Sequence, residues 1–276
     1  MEAKATPTIV IKPSRGWRII NWRELWEYRE LLYFFVWRDV KVRYKQTVLG
    51  AAWAILQPFL TMVVFSLLFG RLAKLPSDGI PYPIFYYSAL LPWIYFATSL
   101  TNTTNIVVQN QRVITKVYFP RIILPASSVL AGLVDFGLAF TVLLAMMFLY
   151  GILPSAAILT VPLFLLFAMA TALGVGLWLA AMNAIYRDVR HVVPFLVQLW
   201  MFLSPVVYPS SMIPEKWRLL YGLNPMAGVI EGFRWAMLGK GDPPALIGVS
   251  AAVVLLLLIG GLFYFRKMEG TIADVV

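Results

Sequence analysis

Six long apolar stretches divide this chain. They run from about Gly50 to Phe69, Phe85 to Val108, Ala126 to Tyr150, Ala156 to Ala184, Val193 to Val207 and Ala245 to Phe265. A helix needs about 20 apolar residues to cross the hydrocarbon core of a bilayer, and all but the fifth stretch supply them. The fourth is long enough to tilt or bend. In the fifth, Pro205 and Pro209 predict that the span ends in broken helix. Ahead of the first span the pattern changes. Trp22, Leu25, Trp26, Leu32, Tyr33, Val36, Trp37, Val40 and Tyr44 recur at helical spacing, while Arg23, Glu27, Glu30, Arg38, Lys41 and Lys45 take the other face. So many charges exclude a span, and so wide an aromatic stripe predicts a helix lying in the membrane interface.

The expected fold is therefore an all-α integral membrane protein of six transmembrane helices with an N-terminal amphipathic interface helix. Its parts are a tail at 1–21, the interface helix at 22–45, the six-span domain at 50–265 and a tail at 266–276. Composition agrees. Of 276 residues, 61% are hydrophobic and 13% charged, against about 45–50% and 25% in soluble chains. The first 20 residues are basic, contain two prolines and lack the continuous apolar run of a cleaved signal peptide.

Charge sets the orientation. Ten Lys and Arg precede the first span, and the second-to-third loop, the fourth-to-fifth loop and the C-terminal tail raise that side to seventeen of the 23. The positive-inside rule places both termini in the cytoplasm, as an even number of spans requires. On so apolar a chain the net charge of +10 is read as membrane-side basicity, with no nucleic-acid partner.

Chemistry is sparse. No cysteine and one histidine, His191, exclude a disulfide framework, a Cys- or His-rich metal site and a thiol nucleophile. There is no GxxxxGK[ST] phosphate loop and no Rossmann glycine fingerprint. The chain is not expected to be an enzyme or to bind a cofactor, so its driving force comes from a gradient or another polypeptide. Asp135, the one acid well inside a span, requires a polar partner, a water-filled cavity or a proton. It is either a proton or substrate contact or a helix-packing hydrogen bond. In the fourth span Ala170, Ala172, Gly174 and Gly176 permit close helix approach.

Three regions carry candidate function. Two loops on the cytoplasmic side, VVQNQRVITKVYFPRIILP and NAIYRDVRHVVPF, combine charge with apolar and aromatic groups at Val117, Tyr118, Phe119 and Tyr186. Such exposed faces suit docking of a partner protein or anchoring at the interface. The long outer loop between spans five and six predicts two short helices, starting at Pro214 and at Asn224–Pro225, with Asn224 as N-cap. Glu231 and Arg234 pair on the second at i, i+3, and Trp217 adds an amphipathic ring. This loop reads as a re-entrant hairpin in the outer leaflet, with a surface loop as the alternative. Among 18 Phe, 13 Tyr and 10 Trp, rings such as Trp53, Phe59, Trp200 and Phe202, and also Trp93, Tyr95 and Phe96, either face an internal path or serve packing and lipid contact.

The stretches RELLYFFVWRDVKVRYKQTVLGAAWAILQPF, NAIYRDVRHVVPFLVQLWMFLSPVVYP and LNPMAGVIEGFRWAMLG, with a loop ending in YFPRIILP, resemble the permease subunit of type-2 ABC exporters of the polysaccharide, O-antigen and teichoic-acid export family. The likeness spans nearly all of residues 24–265. It implies a homodimer of six-span subunits in the cytoplasmic (inner) membrane, two copies of a separate ABC ATPase that alone binds ATP and Mg, and a lipid-linked polysaccharide as cargo. It implies coupling elements at Gln111–Phe119 (Gln111, Arg112, Lys116, Tyr118, Phe119) and Tyr186–Val192 (Tyr186, Arg187, Asp188, Arg190). An outer gate falls at Ile213–Leu238, and the path is lined chiefly by spans one and five. In that family span three commonly bears an acid where Asp135 stands, which favours an architectural role. Arg38, Lys41, Arg43 and Lys45 are expected to attract the pyrophosphate of a polyprenyl carrier. Alternatives are a permease of this fold for a lipid or small molecule, and a proton-coupled carrier working alone.

Overall fold

In hydrocarbon a backbone N–H or C=O has no water to bond, so apolar segments satisfy their polar groups internally as helix. The computed structural model describes residues 22–45, 50, 52–239 and 243–275, and every regular element among them is helical. The N-terminal tail expected at 1–21 lies outside the described residues.

The first amphipathic region is two helices, α1 (Trp22–Glu27) and α2 (Arg29–Lys45), where the periodicity predicts one. Then come α3 (Ala52–Phe65), extended by a π-helical run Ser66–Leu72, α4 (Tyr82–Gln109), the single turn α5 (Gln111–Ile114) and α6 (Ile123–Leu149). A 3₁₀ segment at Ala156–Thr160 leads into α7 (Val161–Ile185), followed by α8 (Val189–Phe202), α9 (Glu215–Tyr221), α10 (Pro225–Leu238) and α11 (Leu246–Val275). Four runs are long and apolar enough to cross a membrane: Ala52–Leu72, Ile123–Leu149, Ala156–Ile185 and Leu246–Thr271. The expected second span, α4, has 28 residues, but Thr101, Asn102, Thr103, Thr104 and Asn105 dilute its apolarity. The expected fifth, α8, has 14 residues, about 21 Å of helix against the roughly 30 Å of a bilayer core.

The core is built round α4. Ile84, Phe85, Tyr86, Tyr87, Phe96 and Leu100 on it are fully buried, against α3, α6, α7 and α10. Trp93, Tyr95 and Phe96, weighed above as path-lining rings, are packed in this core. Helices in lipid gain little from hydrophobicity and associate through close packing, for which small residues are needed. A Cβ added to Gly261 of α11 would lie 2.2 Å from the Gly174 carbonyl oxygen of α7. One added to Gly176 would lie 2.6 Å from the Thr103 methyl of α4. The small-residue run of the fourth span thus seats two neighbours on two faces.

Candidate functional site

Two polar clusters stand at opposite ends of α4. At its N-terminal end they surround the irregular chain that follows α8. Pro205 and Pro209 bar helix there, and Leu203–Pro209 leaves backbone groups without helical partners. The α9–α10 hairpin and α4 supply them. Asn224 caps α10 by accepting from the Met226 N–H, and Pro225 takes the first helical position. The same Asn224 donates through Nδ2 to the Leu203 carbonyl at 3.0 Å and to Ser204 Oγ at 3.0 Å, and accepts from Trp200 Nε1 at 2.9 Å. Tyr82 of α4 donates to the Val207 carbonyl at 2.8 Å.

Arg234 and Glu231 complete this cluster. Arg234 Nη1 donates to Glu231 Oε1 at 2.7 Å and Nη2 to the Pro205 carbonyl at 2.8 Å. Its guanidinium carbon stands 3.9 Å from the centroid of the Phe85 ring. Glu231 Oε1 also accepts the Ser210 N–H at 3.2 Å. Both residues are buried, Arg234 at 5% and Glu231 at 8% exposure. The sequence spacing predicts the pair, but neither its burial nor its backbone partners. Trp217, by contrast, is exposed, with Lys216 Nζ 5.8 Å from its ring.

At the other end of α4, α2 runs beside α6. Phe35 packs against Phe119 with ring centroids 5.8 Å apart, next to Ile123 in the same buried cluster. Further along, Arg43 Nη1 and the Tyr44 hydroxyl both donate to Asp135 of α6. Ile123 and Asp135 are twelve residues apart, about 18 Å of helix. The intramembrane acid thus has its polar partners, 92 and 91 residues away in sequence. Partial burial, then the hydrogen bond to Asp135, pushes the Tyr44 pKa above the usual phenol range, so it remains a donor. Arg38 is likewise engaged, with Asp39 at 2.8 Å, with Asn110 Oδ1 at 2.9 Å and over the Phe35 ring. Of the four cations assigned to a carrier pyrophosphate, Arg38 and Arg43 therefore have protein partners. Lys41 lies over the exposed Trp37 ring, and Lys45 is exposed.

Both candidate coupling loops lie at this end, since Asn183 near the end of α7 donates to the Thr104 carbonyl of α4 at 3.0 Å. Helix in the first is limited to α5, a single turn. Gln111 is partly buried, and Arg112 and Lys116 are exposed. Val117, Tyr118 and Tyr186 are exposed, whereas Phe119 is 3% exposed. The aromatic-face reading of Phe119 is corrected, because its ring is spent on Phe35. Tyr118 donates to Glu24 of α1 at 3.2 Å; partial burial and that carboxylate raise its pKa. Arg121 is bound by Glu269 of α11. In the second loop Tyr186, Arg187, Asp188 and Arg190 are all exposed, and the chain turns straight into α8 without a separate surface helix. Trp53, Phe59 and Phe202 are exposed. Trp200 is not: it packs edge-on against Phe96 at 5.0 Å and spends its N–H on Asn224.

A helical bundle with four runs long and apolar enough to cross a membrane fits an integral membrane protein. The chain belongs to the ABC-2 type transporter family, which it matches over residues 30–238. It is 34% identical over 253 residues to the O-antigen export system permease protein RfbA of Myxococcus xanthus, covering 90% of this chain and 96% of that one. Against the protein of the same name from Klebsiella pneumoniae it is 28% identical, over 90% and 95% of the two chains. Against the polysialic acid transport protein KpsM of Escherichia coli it is 23% identical, over 84% and 91%.

Proposed function

We propose that this chain is the transmembrane subunit of an ATP-driven exporter of a lipid-linked polysaccharide in the cytoplasmic membrane, with both termini cytoplasmic. The observation that carries this reading is the end-to-end likeness to permeases named for O-antigen export and polysialic acid transport. Two copies form the conduit at their seam, and two ABC ATPase subunits bind ATP and Mg and dock on the loops bearing Tyr118 and Tyr186. The faces that this subunit leaves uncovered support the pairing. On α8 only Val193 and Val197 are buried, while Phe195, Leu196, Leu199 and Phe202 are exposed. The hairpin α9–α10 then serves as the outer gate beside the end of α8. Lys41 and Lys45 attract the carrier's pyrophosphate.

The test is reconstitution. Vesicles holding this chain with its ATPase should move lipid-linked glycan inward-to-outward only with hydrolysable ATP, and neither an uncoupler nor omission of a proton gradient should matter. Uphill movement by the chain without any ATPase would refute the proposal and favour a solo carrier.

A further inference from the structure

A cavity of about 720 Å³ opens between α2, α3, α4 and α6, apart from the α8 face assigned to the conduit. Its wall is two-sided in character. Leu91, Ile94, Phe136 and Ala139 give it an apolar wall, and Arg43, Tyr44 and Asp135, with Gln57, Thr98 and Asn102, give it a polar one. Leu91, Phe136 and Ala139 are core side chains at the cavity wall, and apolar walls of this kind are best filled by an aliphatic chain.

The polar wall fixes the headgroup. Arg43 and Asp135 are bonded to each other, yet keep 30% and 27% of their side-chain surface accessible. A guanidinium carries five N–H donors and a carboxylate about four acceptor positions. Asp135 takes one donor of Arg43 through Nη1, and Arg43 and Tyr44 each occupy one oxygen of Asp135. A neighbouring cation and anion at one site complement a ligand that bears both charges. A purely anionic diphosphate would set its charge against the Asp135 carboxylate.

We propose that this cavity holds one resident bilayer lipid with a zwitterionic, primary-amine headgroup, its phosphate on Arg43, its ammonium on Asp135 and an acyl chain along Leu91, Ile94 and Phe136. The site is independent of the export reading: the lipid is a fixed part of the subunit rather than cargo. A phosphatidylcholine would bind less well, because its quaternary ammonium has no N–H to give Asp135.

Native mass spectrometry of the full chain, released from micelles with equimolar phosphatidylethanolamine, phosphatidylcholine, phosphatidylglycerol and a polyprenyl diphosphate, tests this. One phosphatidylethanolamine should be retained about tenfold over each of the others, the worth of one charge-assisted contact. Asp135→Asn should abolish that preference and shift retention toward the anionic lipids. Because Arg43 and Asp135 also tie α2 to α6, two further variants guard against a folding artefact. Ile94→Trp, which fills the cavity from its apolar wall and leaves the pair intact, should lose the bound lipid. The swapped pair Arg43→Asp with Asp135→Arg should keep the preference for phosphatidylethanolamine. Equal retention of all four lipids, a preference for the diphosphate, phosphatidylglycerol or phosphatidylcholine, or a bound lipid that survives Ile94→Trp would each overturn the proposal.

Discussion

Arg234→Met is the sharpest test of how the broken segment after α8 is held. Methionine keeps much of the side-chain volume over Phe85 but removes every donor. Two bonds vanish, at 2.7 Å to Glu231 and 2.8 Å to the Pro205 carbonyl, together with a cation–π contact at 3.9 Å. What remains is the Glu231 carboxylate at 8% exposure, still accepting the Ser210 N–H. Removing one member of a buried ion pair costs about 3–5 kcal/mol, chiefly because the survivor stays desolvated and uncompensated. The double change Glu231→Gln with Arg234→Met takes away both charges, and Gln can still accept from Ser210. Its remaining loss is the unbonded Pro205 carbonyl, about 1–3 kcal/mol. The double variant should therefore be more stable than Arg234→Met alone.

The measurement is unfolding of the purified protein in mixed micelles by denaturing detergent, followed by loss of helical ellipticity, for the wild type, both single variants and the double. Arg234→Lys belongs in the series, since a point ammonium cannot fork to Glu231 and Pro205 together; it should fall between wild type and Arg234→Met. If Arg234→Met loses less than about 1 kcal/mol, or the double variant loses the sum of the two singles, the pair is not the clamp described here.

Gly261→Leu should destabilise by about 3 kcal/mol or more, because its Cβ meets the Gly174 carbonyl at 2.2 Å and helix backbone cannot yield as a side chain would. Gly248→Ala is the control, since a Cβ there meets nothing within 4 Å. It should be neutral or stabilising by about 0.5–1 kcal/mol, and thermal melts of both proteins decide. Lys41→Glu with Lys45→Glu should lower stimulation of ATPase by lipid-linked glycan several-fold while basal hydrolysis of the complex changes little; equal loss of both would remove the carrier-lipid role. Tyr186→Ala should leave the stability of the isolated subunit within about 0.5 kcal/mol of wild type, as exposed sites do. Its recovery of ATPase in co-purification should fall several-fold, and unchanged recovery would separate this loop from docking.

Local rules read well wherever a residue's partner is near in sequence. The Asn224 cap, Pro225 at the first turn, the Glu231–Arg234 spacing and the shortness of α8 were all legible, because capping and i, i+3 contacts involve only neighbours along one helix. Partners far along the chain were not. Asp135 demanded a polar partner, but periodicity could not say that Arg43 would supply it, and charge alone assigned Arg43 to a lipid phosphate. Phe119 and Trp200 show the same gap. A hydrophobic pattern tells which face of an element is apolar, and only the packing tells whether protein or open surface meets it. Phe35 covers Phe119, and Phe96 covers Trp200. The division between α1 and α2 at Tyr28 had no Pro or Gly to announce it.

The placement of polar groups bears on where a polymer would travel. The Glu231–Arg234 cluster lies toward the N-terminal end of α4, and Asp135 lies beside its middle, where Gly132 and Phe136 meet Ser99 and Tyr95. Along α4 Leu90, Leu91, Trp93, Tyr95, Phe96 and Leu100 are buried to 4% exposure or less, in contact with α6 and α7. A hydrated glycan chain cannot replace that packing without opening many close contacts at once, since protein interiors are as dense as organic crystals. A path through the middle of one subunit is therefore disfavoured on packing grounds alone. Among the faces left exposed are those of α3 and α8, where Phe59, Phe195 and Phe202 stand. Aromatic rings there can stack on sugars without a fixed hydrogen-bond register, as a moving repeat requires. Under the proposed function, a second copy covering those faces encloses the conduit. The packing within one subunit thus supports the proposed pairing.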